Sequence, residues 1–164
     1  MSDQSSTVLK QRKGEHPYGD AGQLVLLGVF AVVWVVDSFY LHATTFLSSY
    51  VPEYISRLVL VVLVAAAVYL FFSSRVVIRG ERPNYVVTNR AFKHVRHPMY
   101  LAAILGYLAA AFSSLSLASL GLIVIVFIFY DYIATYEEKL LETKFGTKYM
   151  EYKQRTGKWL PKIR

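Results

Sequence analysis

The chain has 164 residues, of which 55% are hydrophobic and only 18% are charged, and its mean hydropathy is +0.37. These values exclude an intrinsically disordered chain, and the long uncharged runs hold more apolar surface than a soluble core of this size can bury. The net charge of +7 lies beside those runs, which favours contact with anionic membrane lipids and argues against nucleic-acid binding.

The apolar runs predict four membrane-spanning helices in an all-α bundle that forms a single domain, residues 1–164. The second run lies between Arg57 and Arg75 and reaches the roughly 17 residues that a span requires. From Pro98 to Glu137 there is no basic residue over about twice that length, which predicts a hairpin of two helices joined by a tight turn. The predicted spans are approximately 24–41, 57–74, 98–113 and 116–136, with a loop at 75–97 and a tail at 137–164.

The positions of the 18 basic residues predict the orientation of the bundle. Three of them precede the first span, six lie in the loop at 75–97 and eight lie in the tail. The first connection holds only Arg57, and the turn of the hairpin holds none. Because basic residues favour the cytosolic side, both termini, the loop and the tail are expected in the cytosol. The residues before the first span are Lys10, Arg12 and Lys13.

The segment Arg96-His97-Pro98-Met99-Tyr100 lies where the basic loop meets the third span. Proline favours the first turn of a helix and biases the residue before it away from helical geometry, so a helix is predicted to begin at Pro98. The positive end of that helix suits a carboxylate or phosphate. Anchoring at the lipid headgroups explains the basic residues equally well. The first-turn N–H groups belong to Met99, Tyr100 and Leu101.

The end of the fourth predicted span carries several carboxylates. Asp131, Glu138 and Glu142 follow at i, i+7 and i+11 and therefore share one face of a continuous helix, beside Tyr130 and Glu137. Carboxylates at a membrane boundary require partners or water, which makes them site candidates. The alternative is a structural ion-pair network with basic residues of the loop, and for Glu142 this alternative is favoured. The loop residues in question are Arg90, Lys93 and Arg96.

Further polar and aromatic residues stand out within the spans. Tyr100 and Tyr107 lie with Gly106 at helical spacing on the first leg of the hairpin. Gly106 permits close approach of a ligand or of a second helix, and both explanations remain open. The chain has no cysteine, and no histidine pair has a third ligand at suitable spacing, so no metal site is predicted. Asp37, near the outer end of the first span, has no evident partner.

The order of these motifs resembles the isoprenylcysteine carboxyl methyltransferase family and related phospholipid methyltransferases. The resemblance covers roughly residues 87 to 161, where the Arg-His-Pro-Met-Tyr segment and a hairpin are followed by Glu137-Glu138, Leu141, Phe145-Gly146, Tyr149, Tyr152 and Leu160-Pro161. One position departs, because the family commonly has a Gly-Pro turn before the Arg-His-Pro element and here Arg90 and Ala91 stand there. The resemblance implies S-adenosylmethionine as cofactor, bound between the start of the third span and the acidic end of the fourth.

The charges of S-adenosylmethionine agree with this location. Its carboxylate suits the helix start, its ammonium or ribose suits the paired glutamates, and its sulfonium suits tyrosine faces through cation–π attraction worth roughly 0.5–2 kcal/mol. The expected cofactor-binding residues are His97, Pro98, Met99, Tyr100, Leu101, Gly106, Tyr130, Glu137 and Glu138. The expected catalytic residues are Arg96, His97 and Glu138.

The methyl acceptor is expected to be a lipophilic molecule that reaches the site laterally from the bilayer. The resemblance favours a prenylated cysteine carboxylate, which requires a cation such as Arg90 or Arg96 to position it and requires no base. A lipid amine, thiol or hydroxyl fits the same architecture, and an amine would lose a proton, for which His97 is the best-placed base. The oligomeric state stays open.

Two other functional classes compete with a methyltransferase. The first is an NADPH-dependent reductase of the sterol type, whose membrane region also carries an Arg-His-Pro-like element. Those proteins usually have asparagine where Met99 stands, and the pair Glu137-Glu138 with Phe145-Gly146 argues against them. The second is a non-catalytic membrane adaptor, in which the acidic and basic residues merely pair with each other.

Overall fold

A computed structural model describes residues 19–78 and 85–162 of the chain, and these residues form helices and short connections. Within the described ranges there is no strand, and a single isolated parallel bridge joins Val95 to Gly157. The helices are α1 (Gly19–Val35), which continues as a π-helix (Val36–Leu41), α2 (Glu53–Ile78), α3 (Pro98–Ser114), α4 (Leu117–Phe145) and α5 (Thr147–Arg155). Short 3₁₀ turns lie at Phe46–Ser49 and Arg90–Lys93.

Three of these helices are long and apolar enough to cross a membrane: Gly19–Leu41, Glu53–Arg75 and Leu117–Phe145. Helix α2 exposes leucine, valine, tyrosine and phenylalanine along most of its length, which is typical of a surface that faces lipid. Helix α3 is apolar but has 17 residues, about 25 Å at the usual rise. The architecture indicates an integral membrane protein, while the count of four spans stays a prediction.

The helix boundaries differ from the predicted spans mainly at two places. The chain is already helical at Gly19, the first described residue and five residues before the predicted span, and α4 continues nine residues past the predicted limit at 136. Helix α4 ends only at Gly146, whose φ of +55° and ψ of −130° suit glycine and few other residues. The predicted orientation depends partly on Lys10, Arg12, Lys13, Arg79, Arg82 and Arg164, which lie outside the described residues.

Helices α3 and α4 form the predicted hairpin through a two-residue connection, Leu115-Ser116. Leu115 takes a left-handed conformation there, with φ of +51°, and this reverses the chain direction at once. Helix α2 packs along α3, and α1 packs against α4. The core between them contains Phe30, Ile104, Tyr107, Ala111, Val126 and Tyr130.

Asp37 has partners, contrary to what the sequence suggested. Its carboxylate accepts hydrogen bonds from the backbone N–H of Thr44 at 3.0 Å, the hydroxyl of Thr44 at 2.6 Å and the hydroxyl of Ser116. These donors come from the loop after the π-helix and from the turn of the hairpin, 79 positions along the chain. Asp37 therefore joins the first helix to the turn between α3 and α4, and we call Asp37, Thr44 and Ser116 the turn clasp.

The tail folds back over the end of the hairpin that holds the Arg-His-Pro segment. The backbone N–H of Arg96 donates to the carbonyl of Gly157 at 2.9 Å, and the hydroxyl of Tyr152 donates to the carbonyl of Phe92 at 2.6 Å. Gly157 is required at this contact, because a Cβ there would lie 1.8 Å from the carbonyl oxygen of Leu160. The tail thus forms part of the wall around the start of α3.

Candidate functional site

Helix α3 begins at Pro98, as the Arg-His-Pro segment predicts. His97 precedes it with φ of −122° and ψ of 61°, outside helical geometry, because a residue before proline is driven away from that region. The side chain of His97 does not cap the first turn. The start of α3 therefore presents the positive end of its dipole without a side-chain acceptor from its own N-cap residue.

Glu138 is the centre of a buried ion cluster beside this helix start. Its Oε1 accepts from Arg96 Nε at 2.8 Å and lies 3.1 Å from His97 Nε2, and its Oε2 lies 3.1 Å from Lys153 Nζ. Glu138 is only 4% exposed, so the charge is held away from water and depends on these partners. We call Arg96, His97, Glu138 and Lys153 the ion cluster.

Arg96 also fixes the tail. Its Nη1 donates to the carbonyl oxygens of Lys153 at 3.2 Å and Thr156 at 2.6 Å, while its Nε serves Glu138. The guanidinium thus directs three hydrogen bonds to groups of this protein. This geometry favours a positioning role for Arg96, and its expected contact with a substrate stays a prediction.

The second glutamate of the pair faces an aromatic surface. Glu137 accepts a hydrogen bond of 2.7 Å from the hydroxyl of Tyr100. The ring of Tyr100 stacks on His97 with a centroid distance of 5.7 Å and an angle of 6°, and it lies 5.3 Å from the ring of Tyr130. Trp159 of the tail approaches His97 on another side, at 6.0 Å. A carboxylate and several electron-rich rings therefore meet at one corner of the hairpin.

The acidic stripe of α4 faces the tail along its whole length. Asp131 accepts from Trp159 Nε1 at 2.8 Å and pairs with Lys158, and Glu142 pairs with Lys153 at 2.6 Å. The ion-pair alternative is thus correct for Glu142, although its partner is a tail lysine and not a loop residue. Sequence reasoning missed the three tail residues. Their signal was an acidic stripe of three carboxylates over twelve residues, which needed hydrogen-bond donors spaced along a facing segment.

A cavity of about 640 Å³ opens between α1, α3 and α4. Its lining includes Asp20 and Gln23 on α1, Gly106 and Tyr107 on α3, and Tyr130 on α4, which also belongs to the aromatic corner. A Cβ on Gly106 would meet nothing within 4 Å, so helix packing does not require glycine there. Trp34 lines the cavity, and its buried indole N–H has no hydrogen-bond partner among the described residues, which favours an occupant that accepts a hydrogen bond.

The remaining residues that the sequence predicts for the site lie in the first turn of α3 and in the loop before it. Pro98 is buried, and Met99 and Leu101 are half-buried in the first turn of α3. Arg90 is exposed and has a φ of +53°. The site of the missing Gly-Pro turn therefore keeps a backbone conformation that suits glycine, at a cost of about 1–2 kcal/mol for another residue.

The ionisation of the ion cluster follows from its burial. Burial lowers the pKa of His97, and the neighbouring cations Lys158 and Arg96 lower it further, while the carboxylate of Glu138 raises it in part. The imidazole is thus neutral at neutral pH. The carboxylates of Glu142 and Glu138 raise the pKa of Lys153, which stays charged. The cluster therefore combines two permanent cations, one carboxylate and one neutral imidazole.

Comparisons with known proteins agree with the motifs. Residues 78–148 match the sequence model of a family described as phospholipid methyltransferases. The chain is similar to an uncharacterized protein of Haemophilus influenzae, with 40% identity over 63 residues, which are 38% of this chain and 100% of that protein. No solved structure matches the chain. The family match confirms the resemblance, and its range contains the start of α3, the hairpin and the paired glutamates.

Proposed function

Because residues 78–148 match the phospholipid methyltransferase family, we propose that the chain transfers a methyl group from S-adenosylmethionine to a lipophilic acceptor. When bound, S-adenosylmethionine supplies an electrophilic methyl group on a sulfonium. The observation that carries the proposal is the corner formed by the start of α3, Glu137 and the rings of Tyr100 and Tyr130, beside an open cavity.

The residues at this corner match the charges of the cofactor. The uncapped start of α3 can receive a carboxylate, and Glu137 can receive an ammonium or ribose hydroxyls. The rings of Tyr100, Tyr107 and Tyr130 offer electron-rich faces to a sulfonium. We propose that these residues, with His97 and Gly106, contact the cofactor.

Arg96 and Glu138 are proposed to act through other residues. Their ion pair orients His97 and joins the tail to the start of α3. The reaction gains most from alignment and exclusion of water, which together supply on the order of 7–11 kcal/mol in well-oriented systems. A tail held against the hairpin serves both requirements, because it covers the corner and fixes the imidazole.

The cavity between α1, α3 and α4 is proposed to receive the acceptor. Its lining residues on α1, from Asp20 to Trp34, span about 21 Å of one helix face and are mostly apolar, which suits a lipid chain. Among the described residues that line it there is no lysine or arginine, so it offers no cation to a carboxylate acceptor. Charge complementarity therefore favours an amine headgroup over a prenylated cysteine carboxylate. In the transfer the sulfur–methyl bond breaks, a nitrogen–methyl bond forms, and the amine loses one proton, for which neutral His97 is the proposed acceptor.

Labelled cofactor tests the reaction and the acceptor together. The purified protein is incubated with methyl-labelled S-adenosylmethionine and vesicles that contain either an amine-bearing phospholipid or a prenylated cysteine methylation substrate. Label in the amine lipid supports the proposal, label in the prenylated substrate supports the carboxylate alternative, and label in neither contradicts methyl transfer to both. The same assay is run on the variant Glu137→Gln, in which labelling is expected to fall at least ten-fold below that of the wild-type protein.

A further inference from the structure

A second cavity, of about 620 Å³, is lined by residues of the loop before α3 and of the tail, and it shares no lining residue with the first cavity. It is enclosed by the loop before α3, by helix α5 and by the end of the tail. Its lining includes Lys93, His94, Lys148, Arg155 and Lys162, with Glu151 as its carboxylate. Neither the ion cluster nor the proposed cofactor site uses these basic side chains.

The charge of this basic cavity points to an anion. Four permanent cations and one carboxylate surround a space of headgroup size, so the lining carries a net charge of three positive units at neutral pH. All four cations are exposed at the surface of the same space, so an anion bound there is attracted to each of them. Lys162 is kept at the rim, because its Nζ donates to the carbonyl oxygens of Lys153 and Gln154 at the end of α5. Multiple lysine and arginine donors around a small space are typical of phosphate recognition.

The position of the basic cavity relates it to the membrane. Tyr85, one of its lining residues, lies seven positions after the last described residue of α2, and His94 precedes the start of α3 by four. If α2 and α3 cross the bilayer, the cavity lies where both helices leave the hydrocarbon, at the level of the lipid phosphates. We propose that the basic cavity binds the phosphate of an anionic lipid headgroup.

Two residues connect the basic cavity to the ion cluster. Tyr152 and Thr156 line the cavity, the hydroxyl of Tyr152 donates to the carbonyl of Phe92, and the carbonyl of Thr156 accepts from Arg96. A lipid phosphate bound there holds the loop and the tail together through residues other than Glu138. Bound anionic lipid therefore stabilises the closed tail and raises methyl transfer, the second effect resting on the proposed function.

The test measures binding without catalysis. Detergent-solubilised full-length protein is titrated with short-chain phosphatidylglycerol and, separately, with phosphatidylcholine of the same chain length. The cavity variant is Lys148→Gln/Arg155→Gln. The matched control is Lys139→Gln/Lys144→Gln, which removes two exposed positive charges from α4 outside the cavity. Size-exclusion profiles of all variants exclude unfolding.

We expect the wild-type protein and the control variant to bind phosphatidylglycerol at least ten-fold more tightly than phosphatidylcholine, and the cavity variant to lose this preference. Equal losses in both variants would overturn the proposal, since they would reflect surface charge alone. Competition by glycerol phosphate at the affinity of the lipid would also overturn it, because a soluble phosphate would then be the ligand. Binding that persists in a protein without methyltransferase activity would leave this site standing and reject the proposed function.

Discussion

Two buried carboxylates stand at opposite ends of the α3–α4 hairpin and have different partners. The carboxylate of Asp37, which is 5% exposed, accepts from neutral donors: the backbone N–H and the hydroxyl of Thr44, and the hydroxyl of Ser116. Glu138, 4% exposed, is surrounded by Arg96, His97 and Lys153. In the turn clasp, uncharged donors therefore satisfy the buried carboxylate through hydrogen bonds. The ion cluster holds charges whose balance a bound zwitterion can change, and under the proposed function this difference separates a structural end of the hairpin from the end that holds the cofactor.

The largest expected effect comes from removing the charge at the centre of the ion cluster. Glu138→Gln leaves the buried Arg96 and the neighbouring Lys153 without their shared carboxylate, and loss of one partner in a buried pair costs about 3–5 kcal/mol. Chemical denaturation in detergent measures the change. Glu142→Gln is the matched control, because Glu142 is more exposed, and it is expected to cost less than about 1 kcal/mol.

Breaking the turn clasp should affect stability and leave the cofactor site intact. Asp37→Asn puts an amide where three donors require acceptors, and unsatisfied buried donors cost about 1–3 kcal/mol. Titration with S-adenosylhomocysteine is expected to give the wild-type affinity for the protein that remains folded. A loss of affinity comparable to the loss seen in Glu137→Gln would end the division between the two ends of the hairpin.

Lys153 tests whether the tail belongs to the ion cluster. Its Nζ joins Glu138 and Glu142, and its side chain is 36% exposed, so the pair is partly screened. Lys153→Gln is expected to cost roughly 1 kcal/mol and to increase proteolysis of the tail, while Lys144→Gln leaves both unchanged. Unaltered proteolysis in Lys153→Gln would show that the tail is held without this contact.

The smallest expected effect is a pH dependence that only the ion cluster produces. Because the pKa of His97 is lowered in the folded protein, the unfolded chain binds the extra proton first as pH falls below about 6.5. The contribution of His97 to the free energy of unfolding is fully present above the pKa of the histidine in the unfolded chain. It is lost as pH falls towards the pKa in the folded protein, by up to about 1.4 kcal/mol per pH unit. Chemical denaturation at pH 7.5 and at pH 5.5 measures this loss of stability, and His97→Gln is expected to remove the part of the pH dependence that His97 produces.

Part of this architecture was accessible from the sequence because it depends on local signals. The absence of basic residues between Pro98 and Glu137 predicted the hairpin, and Pro98 predicted the start of α3. The helical spacing at i, i+7 and i+11 predicted that Asp131, Glu138 and Glu142 share one face of α4. These features are set within a few turns of helix.

The rest depends on contacts between distant segments. The partner of Asp37 on the hairpin lies 79 positions away, and serine is too common for its spacing to identify it. The tail cations Lys153 and Lys158 reach the acidic stripe only because the chain reverses at Gly146, where the backbone takes a conformation that suits glycine. A pattern along one helix reports which face needs partners, and it does not report which segment supplies them.

The most direct test of the central claim is isothermal titration of S-adenosylhomocysteine and NADPH into the wild-type protein and two variants. Removing a charge-assisted hydrogen bond costs about 1.5–3 kcal/mol, so Glu137→Gln is expected to bind S-adenosylhomocysteine at least ten-fold more weakly than the wild-type protein. Asp37→Asn is expected to keep the wild-type affinity and to melt at a lower temperature. Binding of NADPH without any binding of S-adenosylhomocysteine would contradict the account.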